Sequence, residues 1–290
     1  PRSTPKPSSA ASDVYKRQTN YFIRKIFLAA ILFINFCYAQ QSADLDIENE
    51  RVAPFQVFDN LYYVGAKSAS AWLLESDQGL ILFDSLYGEL TNLAIDAIRG
   101  LGFDPDDIRY LIVSHAHYDR VGGARKFQDE FGAVVMMTEE DWSITEAPLN
   151  DEDYPKPTRH LSASDGSTLN LGRTRLRFFQ TPGVTPGVLS TRFTVYDNGY
   201  PHDAFLFGGP DFDFSGAEQT ELYINSVRRI MQLEGIEVNI PTHPESGDVF
   251  ERYEILQDRG EGDPHPFVDP DSWAAWLDLL LLGAQAKLEN

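Results

Sequence analysis

Tyr110-Leu111-Ile112-Val113-Ser114-His115-Ala116-His117-Tyr118-Asp119-Arg120 is the stretch on which the reading of this chain turns. Its apolar half reads as a strand buried on both faces. Its second half places two imidazoles and a carboxylate at alternating positions on the turn that leaves the strand, where all three can point into one small volume and hold a metal ion. Gly122-Gly123 then allows a tight approach of the backbone before a helix with Ala124, Phe127 and Phe131 on one face.

The same alternation extends in both directions. Upstream, Gly79-Leu80-Ile81-Leu82-Phe83-Asp84 is a continuous apolar run ending in a carboxylate, which predicts another doubly buried strand. Leu90, Leu93, Ala94, Ala97, Ile98 and Leu101 follow at helical spacing, Gly102 closes that helix, and Asp104 to Asp107 turn the chain back. Downstream, Val134 to Met137 reads as a strand. The middle carries strand patterns at Leu176–Gln180, Val188–Tyr196 and Ala204–Phe207 with no helix of useful length between them. A helix through Leu222, Val227, Ile230, Met231 and Leu233 comes next. A strand from Ile236 to Ile240 runs into Pro241-Thr242-His243-Pro244, and Trp273 to Leu288 forms a final helix. These elements predict an α/β fold in which helices flank two sheets, in two similar halves.

The amino-terminal segments are read apart from the fold. Residues 1–18 have no apolar period and resemble translated adaptor sequence. Residues 19–39 carry a basic pair, Arg24-Lys25, an apolar stretch from Ile26 to Phe36, and the small-residue end Cys37-Tyr38-Ala39. That order is the pattern of a secretory signal peptide, and the stretch is short for a membrane span; an amino-terminal anchor is the alternative. Cleavage after Ala39 leaves residues 40–290 as a single domain, secreted or periplasmic and without stable membrane association. It removes the only cysteine, Cys37, and with it any disulfide or thiolate ligand. The remaining chain has 18 basic against 43 acidic residues, a surface that repels nucleic acid and leaves a small molecule as the expected partner. Its oligomeric state is not legible.

Taken in order, the strand ending in Asp84, the HxHxD motif, the turn Thr181-Pro182-Gly183-Val184-Thr185-Pro186-Gly187 and Thr242-His243-Pro244 resemble the metallo-β-lactamase superfamily. Asn60-Leu61-Tyr62-Tyr63-Val64-Gly65, Gly208-Gly209 and His265-Pro266-Phe267-Val268 are similar to subclass B3 enzymes and their relatives. The resemblance spans roughly residues 52 to 288. It implies a four-layer αβ/βα sandwich with a zinc site at one edge between the sheets.

The resemblance also implies ligands, and here the chain departs from the pattern. One zinc of the family is held by three histidines; His115 and His117 match two of them, but Val184 stands at the third. A second zinc uses the motif aspartate, the histidine after it and a late histidine; Asp119 and His243 match, but Arg120 stands between them. Two protein ligands for each ion fall short of the usual three plus an open position, and arginine does not coordinate. One zinc ion drawing on His115, His117, Asp119 and His243 is the expected occupancy, with two ions left open and iron or manganese also compatible with these ligand types. Asp211 is a further candidate, one residue out of register with a bridging aspartate of other branches. Asp84 is similar to the family's outer carboxylate and is expected to orient a motif histidine. His160 and His202 are read as loop histidines and His265 as structural.

The activity implied is metal-dependent hydrolysis of a cyclic amide or ester by a metal-bound hydroxide, with Asp119 orienting it. The ligand losses lower the expected rate. A non-catalytic or metal-poor relative that keeps the pocket for small-molecule binding is the rival reading.

Overall fold

Strand β1 (Phe55–Phe58) opens a seven-stranded sheet that continues in chain order through β2 (Leu61–Tyr63), β3 (Trp72–Ser76), β4 (Gly79–Phe83), β5 (Ile108–Ile112), β6 (Val134–Thr138) and β7 (Leu161–Ala163). The first four are antiparallel and joined by short turns; from β4 to β7 the pairing is parallel. Parallel neighbours need a crossover, and helices supply it. Among them are α2 (Gly88–Gly100) between β4 and β5, and α3 (Tyr118–Val121) with α4 (Ala124–Phe131) between β5 and β6. A single-turn helix, α1 (Ile47–Glu50), precedes the sheet. The computed structural model describes residues 46–147 and 154–289, and Ile47 onward forms one compact unit. The adaptor-like segment 1–18, the leader 19–39 and Cys37 lie outside the described residues.

The second sheet has five strands in the order β12-β11-β10-β9-β8: β8 (Thr168–Leu171), β9 (Thr174–Gln180), β10 (Leu189–Asp197), β11 (Tyr200–Leu206) and β12 (Val238–Asn239). The two sheets share one core. Ile81 and Phe83 of β4 and Phe178, Phe193 and Leu206 of the second sheet belong to it, and the Phe83 and Phe193 rings stack at 5.1 Å. The alternate residues Leu80 and Leu82 are buried as well, on the opposite face. The far side of the second sheet presents Phe179, Phe205 and Phe207 to α6 (Ala217–Ile230) and α8 (Pro270–Leu288), which bury Tyr223, Val227, Trp273 and Leu277 against it. Helix, sheet, sheet, helix is the four-layer αβ/βα sandwich the sequence predicts.

Differences from expectation have local causes. The strand expected over 236–240 is reduced to Val238–Asn239, although Glu237 N and Ile240 N on either side still donate to Asp203 O and Phe205 O, and Pro241 offers no N–H to carry it further. The strand expected from Ala204 starts earlier, at Tyr200. Asn198 and Gly199 both take positive φ, 49° and 80°, and turn β10 directly into β11 as a two-residue hairpin. His202 therefore sits in a strand rather than a loop. Helices α5 (Glu139–Thr145) and α7 (Val249–Gln257) escape the pattern; α5 is barely two turns and α7 buries only Val249. Among the described residues no helix is long and apolar enough to cross a membrane.

Candidate metal centre

Four chain segments meet at the carboxyl end of β5. Each is held there by a hydrogen bond that follows from its sequence. After β4, the chain bends through Asp84 and Leu86 at positive φ, 59° and 57°, a conformation that costs a non-glycine residue about 1 kcal/mol or more. The bend lets the buried Asp84 carboxylate accept from Ser114 N at 2.7 Å and Ser114 Oγ at 2.9 Å, fixing the start of the histidine loop. Ser114 O in turn accepts from Leu189 N at 2.7 Å, which joins that loop to the second sheet.

The loop then presents its ligands. One donor atom from each of His115, His117 and Asp119 lies within 4.8 Å of the other two. His115 is buried, and its Nδ1 is 2.7 Å from the carbonyl oxygen of Gly208. A carbonyl can only accept, so Nδ1 carries the proton and the Nε2 lone pair is left free. Burial, reinforced by His117 and Arg120, pushes the His115 pKa down to about 3, so the ring is neutral at any ordinary pH. Asp119 is held below the usual carboxylate range: burial opposes ionisation, but Arg120, His115 and His243 outweigh it. Two neutral-capable imidazoles and an ionised carboxylate suit a zinc-type ion.

Arg120 has a different place. Its side chain is fully buried, Nη1 donates to Thr242 O at 2.5 Å, and Nη2 lies 3.2 Å from Asp119 Oδ2 and against His243 Nε2. Asp84 Oδ2 is 4.0 Å from Nη1. His243 is thus turned to Arg120 and to Asp211, whose Oδ2 is 3.3 Å from Nε2, while its Nδ1 rests 3.2 Å from Ser68 O. It is 3.9 Å from Asp119 Oδ2 and stands apart from the three-residue cluster. Asp211, out of register in the sequence, is brought to the same corner by the turn after Gly208-Gly209. Asp84 touches Ser114 and Arg120 directly; it reaches His115 only through Ser114 Oγ, 3.3 Å from His115 Nδ1. Burial raises the Asp84 pKa to about 6, with Arg120 and the Ser114 donors pulling against it.

Val184 is buried in the turn beside Gly209, where a Cβ on that glycine would meet Val184 Cγ2 at 2.6 Å. The remaining histidines are engaged elsewhere. His160 lies beside Gln128 and His202 beside Glu237. His265 stacks on Phe58 at 4.1 Å with Nε2 2.9 Å from Val57 O, a packing role.

Sequence reading missed Asp141. Fully buried on α5, it accepts from Ala116 N at 2.8 Å, Thr185 Oγ1 at 2.8 Å and Gly187 N at 3.0 Å. One carboxylate therefore binds the middle of the HxH loop to the turn that holds Val184. Burial lifts its pKa to about 6 against those donors. An isolated acidic residue in a helix carries no signal of this; the three donors come from two segments distant in sequence, the histidine loop and the 181–187 turn.

Comparison with known proteins agrees with this architecture. Residues 64–235 match the family described as the metallo-beta-lactamase superfamily, and the chain belongs to that superfamily. BJP-1, a subclass B3 metallo-beta-lactamase of Bradyrhizobium japonicum, superposes with a TM-score of 0.76 at 25% identity, covering 85% of this chain and 97% of that one. FEZ-1 of Legionella gormanii superposes with a TM-score of 0.76 at 23% identity over 83% and 97%, a likeness of fold. An N-acyl homoserine lactonase of Bacillus thuringiensis is 27% identical over 152 residues, 48% of this chain. The match spans only 56% of that lactonase's length.

Proposed function

We propose that this chain is a metal-dependent hydrolase that opens a cyclic amide or ester of a small molecule, using one zinc-type ion held by His115, His117 and Asp119. The observation that carries the reading is the convergence of those three ligand atoms within 4.8 Å, with the His115 tautomer fixed by Gly208 O. The membership of β-lactamases and a lactonase among its relatives supports a strained ring as the substrate class. When bound, the ion would supply Lewis-acid polarisation of the carbonyl and a nucleophilic water near neutral pH.

The residues do the rest. His115 offers a lone pair without an accompanying charge, His117 adds a second imidazole nitrogen, and Asp119 offers a carboxylate that stays ionised. Asp119 is 20% exposed, so it also faces the open side of the site, where it can accept a proton from an approaching water. Asp84 and Ser114 hold the loop in place from behind. Val184 contributes an apolar wall instead of a third imidazole, which favours a rate below that of the three-histidine pattern. That substitution, with Arg120, is also what supports the rival reading of a metal-poor pocket that binds a small molecule without cleaving it.

Purified protein should be stripped with chelator, reloaded with zinc and offered a chromogenic cephalosporin and an acyl homoserine lactone. Zinc-dependent opening of either ring is the expected result. No turnover of either together with less than about a tenth of an equivalent of bound zinc would defeat the hydrolase reading.

A further inference from the structure

We propose that the Arg120 guanidinium stands in for a second cation, so that the pocket takes a single ion and holds its shape without one. The inference rests on the metal-binding reading above, and it concerns the half of the site that reading leaves unused. Three carboxylates and an imidazole surround this one side chain. Asp119 lies 3.2 Å from Nη2 and Asp84 4.0 Å from Nη1, His243 is in contact with Nη2, and Asp211 joins through His243 at 3.3 Å. The guanidinium is fully buried, so its own charge is answered by these groups rather than by solvent.

The residues around Arg120 do not fit a second ion. Asp119 Oδ2 and His243 Nε2, the atoms that would have to hold it, are both turned to the guanidinium. A dication bound to them would sit within a few ångströms of a fixed positive charge that cannot be titrated away, since arginine keeps its proton. The backbone is committed too: Arg120 O accepts from Ser85 N at 2.9 Å and Ser85 Oγ at 2.7 Å. Arg120 therefore ties the end of β4, the histidine loop and the loop after β12 together, which is the cross-linking a bridging cation would otherwise provide.

The test uses the whole chain in two arms. In the first, metal-free wild type and Arg120→His are dialysed against zinc at about ten times the wild-type half-saturation concentration, and bound metal is measured by elemental analysis. Wild type should saturate at one equivalent and Arg120→His should take up one more. Two equivalents in wild type, or no additional equivalent in a folded Arg120→His, overturns the proposal.

In the second arm, thermal unfolding is followed in chelator, where no ion contributes. Arg120→Lys keeps the charge and should melt within a few degrees of wild type, whereas Arg120→Gln leaves the carboxylates unanswered and should melt about 10 °C lower. Equal losses in the two variants overturn the proposal even if Arg120→His cannot be obtained folded. Should wild type bind no zinc and turn over no substrate, the hydrolase reading falls. The second arm still decides the role of Arg120.

Discussion

Replacing Asp141 by Asn tests whether one buried carboxylate joins the histidine loop to the turn opposite it. The two side chains have the same shape, but Asn turns one acceptor into a donor. In its better orientation the amide nitrogen faces Gly187 N, which at 3.0 Å can only donate, so one hydrogen bond is lost and a buried donor is stranded, at about 1–3 kcal/mol.

The pH dependence is more diagnostic. Burial raises the Asp141 pKa from 3.8 to about 6, so the folded chain binds this proton more tightly than the unfolded chain. The resulting stability is fully present below about pH 4 and is lost as pH rises through about 6. At 1.36 kcal/mol per pH unit the full effect is roughly 3 kcal/mol, of which about 2 kcal/mol falls between pH 7.5 and 4.5. Asn has no proton to gain. Urea unfolding of wild type and Asp141→Asn in chelator at both pH values isolates the difference, since Asp84, also raised to about 6, is common to both. The deficit of the variant should grow by about 2 kcal/mol on acidification. A deficit that stays constant to within about 0.5 kcal/mol would show that Asp141 does not titrate as a buried carboxylate, and the account of this junction would fall.

Three further outcomes are expected. Gly208→Ala would place a Cβ 2.3 Å from Leu189 O. The backbone must shift at a cost of about 1–3 kcal/mol, and because the same residue's carbonyl orients His115, zinc affinity by equilibrium dialysis should fall about 10–100-fold. Val184→His should raise zinc affinity at least about tenfold, given that outer partners of a ligand alone are worth about 10–100-fold; unchanged affinity in a folded variant would mean that position 184 does not face the ion. Combining it with Arg120→His should bring zinc uptake toward two equivalents and increase any hydrolysis, checked by elemental analysis beside a turnover assay.

Much of the fold was legible because burial on both faces leaves a continuous apolar run, as in Gly79–Phe83 and Ile108–Ile112, and crossover helices repeat at 3.6 residues, as in Leu90 to Ile98. What escaped was short or weakly patterned. Helix α7 buries only Val249, and the Asn198-Gly199 hairpin was missed although that residue pair favours a two-residue turn. Among candidate site residues, the motif placed His115, His117 and Asp119 on one turn, where a spacing of two lets them point into one volume, and the structure brings their ligand atoms within 4.8 Å.

Arg120, Asp141 and Asp211 are different. The sequence by itself determined that Arg120 cannot ligate a metal and that Val184 has no lone pair to offer, since those are properties of the side chains. Only the tertiary structure decided what Arg120 does instead, because the groups that answer its charge are Asp84, Thr242 and His243, brought to it from separate strands and loops. Hydrogen bonds form only at contact distance and a buried charge interacts most strongly with the groups nearest to it, so a charged residue takes its role from its neighbours in space, which sequence spacing does not specify.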